Sequence, residues 1–359
     1  MPDCSVLSIS HMHDFSGFQF QWRGQLTDYI TAIAPLSDAS SFVVSSAAGE
    51  VAIVTPALEQ DTVQVQMLQA ATGRSLDCMA ISANGQWLAV GGETGTVTIW
   101  QLQPSPTLVT TLSQPGVWVD RMAWHPTQDQ LVFSLGRYAQ VWDATAGDVV
   151  ATVDFAASSV LGLAWHPEGN YLAVCGHQGM QIWRTDDWDL DPQVFKIPSA
   201  SVAIAWSPDG QFIADGNLDN TLTVIEWAQP DQPWIMQGFP GKVRQLAWSQ
   251  PHTETGAPLL ASCSASDVVI WRLAADPALG WENWLLSGHD GTVQAIAFQP
   301  QSCLLASAAL DGQVILWADA EQGMQVLNGA PSGGSCLAWN ATGTVLAAGG
   351  CGGEVSLWA

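Results

Sequence analysis

The stretch GHDGTVQAIAFQPQSCLLASAALDGQVILWAD, residues 288–319, decides the fold. It reads as three short apolar strands separated by turns: one ending at Phe298, a small-residue strand LLASAALDG, and GQVILW ending at Trp317. The last of these recurs along the chain. GTVTIW ends at Trp100, QVW at Trp142, MQIW at Trp183, VVIW at Trp271 and GEVSLW at Trp358. GEVAIV ends at Val54 and NTLTVI at Ile225, with an aliphatic residue in place of Trp. The marks at 54, 100, 142, 183, 225, 271, 317 and 358 are spaced by 46, 42, 41, 42, 46, 46 and 41 residues. A period in the forties with short alternating strands describes propeller blades, each a four-stranded antiparallel sheet.

An earlier strand in each repeat ends in a second aromatic, at Trp124, Trp165, Trp206, Trp248, Phe298 and Trp339. The two marks together absorb 11 of the 19 Trp residues. Between them lie strands such as WLAVGGETG, YLAVCGHQG and VLAAGGCGG, whose Gly, Ala and Ser let neighbouring blades approach. With these marks in place, residues 288–319 resemble a WD-repeat (Trp-Asp repeat) blade, through Gly288-His289, Asp311 and Trp317-Ala318-Asp319. The resemblance implies a buried hydrogen-bond set of His289, Ser307, Asp311 and Trp317. The other copies have drifted: only one Gly-His, at 288–289, stands ahead of an inner strand, and an Asp directly follows the strand-ending Trp only at Asp143. Apolar packing is expected to hold those blades.

The fold expected is an all-β, single closed WD-repeat β-propeller of eight four-stranded blades, with seven as the alternative. Eight inner strands are expected near 30–36, 76–82, 119–125, 160–166, 201–207, 243–249, 293–299 and 334–340. The sequence stops at Ala359, one residue past the last Trp strand, so the final blade needs an outer strand from elsewhere. Phe18-Gln19-Phe20-Gln21-Trp22-Arg23 alternates with period 2, which predicts a strand with Phe18, Phe20 and Trp22 inward that pairs with 353–358. Residues 1–14 are read as a preamble and 15–359 as the propeller, with 15–26 closing the ring.

Composition sets the partner class. Nine basic against 33 acidic residues give a net charge of −24, with a pI near 4.1, which disfavours nucleic acid and anionic membrane. With 48% hydrophobic and 12% charged residues, the chain can bury a core, and no apolar run approaches the length of a membrane span. The beginning of the sequence lacks a basic region followed by an apolar stretch, so a cytoplasmic location is expected. Seven widely spaced cysteines without a Cys-x-x-Cys suggest reduced, buried thiols. The low lysine and high tryptophan content suits a stand-alone bacterial-type member.

No phosphate-cradling loop, nucleophile elbow or dinucleotide fingerprint occurs, so no catalytic residues, no enzyme activity and no cofactor are expected. An enzyme using the channel mouth is a third reading without an identifiable nucleophile and base. His125 and His166, each in Trp-His-Pro, read as turn residues. A metal-handling alternative rests on Cys4, His11, His13 and Asp14, a set that suits zinc. The run Asp186, Asp187, Asp189 and Asp191 reads as a solvated acidic loop rather than a calcium site. Trp234, Trp281 and Trp284 have no repeat role and read as anchors of outer strands, or as an interface if exposed.

Propellers resembling this one hold peptides or proteins on the loops around the channel mouth. Six residues before the first aromatic mark, the blades present Tyr29, Ser75, Trp118, Ser159, Ala200, Lys242, Thr292 and Gly333. Two positions on, Asp77 and Asp120 face a base, Arg244. Tyr29, Asp77, Trp118, Asp120, Lys242 and Arg244 are therefore the candidate partner-binding residues. The expected function is a non-catalytic scaffold or adaptor, a monomer by itself, that binds a protein or peptide of basic character.

Overall fold

The computed structural model describes residues 17–38, 40–57, 62–156 and 158–359. Strand β1 (Phe20–Gln25) is followed by a sheet of β2 (Ile30–Pro35), β3 (Phe42–Ser46), β4 (Val51–Ala57) and β5 (Thr62–Gln69). The next sheet holds β6 (Leu76–Ile81), β7 (Trp87–Gly92), β8 (Thr96–Gln101) and β9 (Thr107–Ser113). The third holds β10 (Met122–Trp124), β11 (Gln130–Leu135), β12 (Tyr138–Asp143) and β13 (Asp148–Asp154).

A six-stranded sheet comes next: β14 (Val160–Trp165), β15 (Tyr171–Arg184), β16 (Gln193–Trp206), β17 (Phe212–Asn217), β18 (Leu222–Glu226) and β19 (Trp234–Met236). Then come β20 (Gln245–His252), β21 (Pro258–Ser264), β22 (Asp267–Leu273) and β23 (Trp281–Leu286). Another sheet contains β24 (Val293–Phe298), β25 (Leu305–Ala309), β26 (Gln313–Ala318) and β27 (Gln322–Asn328). The last contains β28 (Gly334–Trp339), β29 (Leu346–Gly350) and β30 (Glu354–Trp358), with β1 as its fourth strand.

All pairings among the described residues are antiparallel, and each repeat places its first strand innermost. The inner strands lie side by side in succession: β2, β6, β10, β14, the second half of β16, β20, β24, β28 and back to β2. The core sits between consecutive sheets. Cys78, Ile99 and Val97 of one sheet, for example, pack on Trp124, Phe133 and Trp142 of the next.

Two expectations are corrected. The described residues form seven hydrogen-bonded sheets, not eight separate four-stranded ones. The cause lies in β15 and β16, which each run 14 residues without a break. The first half of β15 pairs with β14 and its second half with β16, whose residues 201–206 go on to pair with β17. Two repeats are thereby joined in one sheet. The second correction is Phe20, expected inward but 54% exposed. The register of β1 against β30 shifts between Phe20 and Trp22, which breaks the alternation. Phe18 is buried in the core between the last two sheets, Trp22 packs on Val355 and Leu357, and Phe20 lies outside under the Arg23 guanidinium.

Candidate functional site at the channel mouth

The loops that enter the inner strands ring one end of the channel. Tyr29, Ser75, Ser159, Thr292 and Gly333 each stand immediately before an inner strand, and Trp118 and Lys242 stand a few residues before theirs. Their placement follows from the repeat: the strand must turn from the outer edge of one sheet to the inner edge of the next at this end.

Trp118 is 64% exposed, and its side chain has no hydrogen-bond or ring partner among the described residues. The loop beneath it is pinned. Val117 N–H donates to the Gln114 carbonyl at 3.3 Å, Val119 N–H donates to the Gly92 carbonyl at 3.1 Å, and Val119 is fully buried. Tyr29 is half-exposed; its backbone N–H donates to Asp28 Oδ1 at 2.7 Å. Burial, followed by the nearby Cys336 and Cys351 thiols, pushes its phenol above the ordinary range. Lys242 is exposed.

The two acids turn inward to their own blades. Ser75 Oγ donates to Asp77 Oδ1 at 2.6 Å, while Asp77 Oδ2 is buried without a hydrogen bond. Ser134 Oγ donates to Asp120 Oδ1 at 2.8 Å. Arg244 differs: its guanidinium has no hydrogen-bond or ion-pair partner among the described residues, and it lines a cavity of about 470 Å³ on the channel axis. Arg121 lines the same cavity and was missed in the sequence reading, which fixed on Asp120 beside it. Its Nε donates to the Leu161 carbonyl and its Nη1 to the Asp120 carbonyl, both at 2.7 Å. A cation immediately before an inner strand, in a chain with only nine basic residues, was the available signal.

The remaining candidates lie elsewhere. His289 Nδ1 is 2.9 Å from Asp311 Oδ2, its Nε2 is 2.8 Å from Ser307 Oγ, and Trp317 Nε1 donates to Ser307 Oγ at 2.8 Å. Partial burial would raise the Asp311 carboxyl, but donation from Gln313 N–H and His289 outweighs it and holds the group below its ordinary value. This chain of bonds ties the loop before β24 to the turn after β25; His289, Ser307 and Trp317 are buried and Asp311 is partly buried. Trp281 is buried among apolar neighbours, and Trp284 Nε1 donates to the Ala320 carbonyl at 2.7 Å, so both anchor the outer strand. Within the acidic run, Asp186 pairs with Arg184 at 2.5 Å. Cys4, His11, His13 and Asp14 lie outside the described residues. Among the described residues, no group of three or more His, Cys, Asp or Glu side chains could hold a metal.

The model of the WD domain, G-beta repeat, matches residues 63–101, 147–184, 193–226, 281–318 and 324–359, more than half of the chain. The chain belongs to the WD40 family. Each matched segment starts in the outer strand of one blade and ends in the third strand of the next, the offset expected when blades share strands around a ring. Members of this family generally act as protein-interaction scaffolds and are typically non-catalytic.

The chain is similar to nuclear distribution protein nudF of Aspergillus flavus, 31% identical over 107 residues, which is 29% of this chain and 22% of that protein. It is 36% identical to nuclear distribution protein nudF 2 of Aspergillus clavatus over 90 residues, 24% of this chain and 20% of that protein. It is 32% identical to protein CIA1 of Arabidopsis thaliana over 87 residues, 23% of this chain and 24% of that protein. The chain thus spans less than a quarter of the length of each. These relatives are fungal and plant proteins and lend nothing to the expectation of a bacterial-type member. No helix among the described residues is long and apolar enough to cross a membrane.

Proposed function

We propose that this WD40 propeller is a non-catalytic scaffold that holds a protein or peptide at its channel mouth. The reading counts the six-stranded sheet as two blades, for eight in all, with 15–26 closing the ring. The contact residues are Tyr29, Trp118 and Lys242 at the rim, with Asp77, Asp120 and Arg244 beneath them. The reading includes a partner of basic overall character, which the net charge of −24 would steer, a chain monomeric by itself, and a cytoplasmic location.

The observation that carries the reading is Trp118. A large aromatic surface held out on a pinned loop, without a partner of its own, is the kind of anchor that dominates an interface. Truncation of such an anchor costs a partner about 2 kcal/mol, or roughly thirtyfold in affinity. Affinity capture from native cell extract, comparing the wild type with Trp118→Ala, tests it: a retained partner should be lost from the variant, and equal retention refutes the assignment.

A further inference from the structure

We infer that the cavity on the channel axis is an anion site, built by Arg121 and Arg244 to receive the carboxylate of an acidic peptide segment. The inference rests on the mouth reading above and names the chemical group that enters beneath it. The cavity is bounded by residues in, or immediately before, the inner strands of four consecutive repeats, Arg121, Gly162, Val202 and Arg244 among them, and the other lining residues include no carboxylate.

Arg121 and Arg244, like Arg23, Lys196 and Lys242, have no acid partner among the described residues. Of the nine cations, Arg74, Arg137, Arg184 and Arg272 each pair with an acid within 3.7 Å, at Glu93, Asp154, Asp186 and Glu282. Neither of the two arginines on the axis is within ion-pair distance of an acid among the described residues. Arg121 is oriented by carbonyls of its own and the next repeat, which leaves guanidinium N–H groups unspent, and all side-chain donors of Arg244 are unspent. The nearby carboxylates are turned away from the guanidinium groups, toward serines of their own blades: Asp120 accepts from Ser134 and Asp77 from Ser75. Both arginines are exposed within the recess, so their free N–H groups are open to an entering oxyanion, which two like charges on one recess favour. The planar guanidinium fork suits a carboxylate bidentately. Trp118 and Lys242 stand three and two residues before the arginines, so a peptide seated on the rim can lower an acidic end into the channel.

The test uses the full chain at physiological salt, where a Debye length near 8 Å screens the distant acids but not the cavity. The probe is a fluorescein-labelled Gly/Ser peptide ending in a glutamate pair with a free C-terminal carboxylate. The control is the same peptide with glutamines and an amidated end, and inorganic phosphate is titrated separately. Anisotropy should show binding of the acidic peptide alone, weakened at least about tenfold by Arg244→Gln and by Arg121→Gln, and unchanged by Arg137→Gln. Arg244→Gln is decisive, because that side chain holds no partner whose loss could unfold the protein; an unchanged melting temperature confirms the comparison. Equal affinity for both peptides, no effect of Arg244→Gln, or saturable phosphate binding without peptide binding each overturns the inference. A loss with Trp118→Ala but not with Arg244→Gln overturns the channel site and leaves the mouth reading standing; the converse pattern overturns the mouth reading instead.

Discussion

Asp215 is fully buried on β17, with Ser201 Oγ 2.7 Å from its Oδ2, while Oδ1 has no hydrogen bond. Burial pushes its carboxyl up to about 8; the Ser201 bond opposes the rise and nearby Asp219 adds to it. The same Ser201 hydroxyl lies 3.1 Å from Asn217 Oδ1. A hydroxyl carries one proton, so a protonated Asp215 completes the pair of bonds, and the neutral acid is the form that fits. A carboxyl whose pKa is raised on folding contributes stability that is fully present below its unfolded value near 3.8 and is lost as pH rises through about 8. Asp215→Asn, which keeps the shape without the titration, should gain on the wild type between pH 4 and 8 by on the order of a few kcal/mol. Thermal melts across that range check it, and parallel profiles for the two proteins would count against the assignment. Asp215 takes the place in its repeat that Ser307 takes in residues 288–319, which the alignment of strands makes legible. That it is a neutral acid was not legible, because the protonation state follows from burial and from Ser201 and Asn217 across the strand.

Strand elements are joined to one another by a bond that recurs from sheet to sheet. The indole Nε1 of Trp124 donates to the Ala80 carbonyl at 3.1 Å, Trp165 to Ala123 at 3.1 Å, Trp248 to Ala205 at 3.2 Å and Trp339 to Ala297 at 3.1 Å, each reaching the preceding inner strand. The residue after the aromatic that ends the inner strand, Trp124 or Phe298, adds a second link in the other direction. His125 Nε2 reaches the Gly169 carbonyl at 3.0 Å and Gln299 Nε2 donates to that of Gly343 at 2.7 Å. Gly169, at φ +79, is required twice: by its left-handed backbone, and because a Cβ would sit 2.1 Å from the His125 ring. Trp206 is the exception, its Nε1 buried without a partner in the sheet where two repeats run together. Trp165→Phe should therefore destabilise the protein about 1 kcal/mol more than Trp206→Phe, since only the former leaves a buried carbonyl short of a donor. Denaturant midpoints with unchanged slopes measure the difference, and equal losses would show that the indole bond contributes nothing. The Trp marks gave the strands away in the sequence, and the histidines read correctly as turn residues. The joining of β15 to β16 did not show, because residues 177–179 and 198–200 carry no signal that distinguishes a continued strand from a tight turn.

Across the whole molecule, stability depends on closure, since a propeller with one open sheet exposes both an apolar face and an unpaired edge. β1 makes the closing pair with β30, from Phe20 opposite Trp358 to Gln25 opposite Glu354, and Gln19 and Ala359 exchange backbone bonds at 2.9 and 3.0 Å. The strand is also stitched to the neighbouring sheet. Arg23 donates from Nη2 to the Asn328 and Gly329 carbonyls at 2.9 and 2.5 Å and from Nε to Ser356 Oγ at 3.0 Å, and Phe18 meets Trp339 edge-on at 5.1 Å. The period-2 pattern of 18–23 made a strand legible, whereas the displacement of Phe20 came from a bulge that no alternation encodes. Removing residues 1–26 strips Phe18 from the cluster between the last two sheets and the partly buried Trp22 and Leu26 from that between the last and first, a loss of about 4 kcal/mol at roughly 2 kcal/mol for the buried side chain and about 1 kcal/mol for each partly buried one. It also leaves the backbone donors and acceptors of β30 free to pair with another chain. The truncated protein should melt on the order of 10 °C lower and associate as its concentration rises, because the exposed strand is an edge ready for a second copy. Adding a synthetic peptide of residues 15–26 in trans should restore the melting temperature if the loss is one of closure. A truncated protein that melts with the full chain, or one that the peptide fails to rescue, would place the stability of the ring in the contacts between sheets instead.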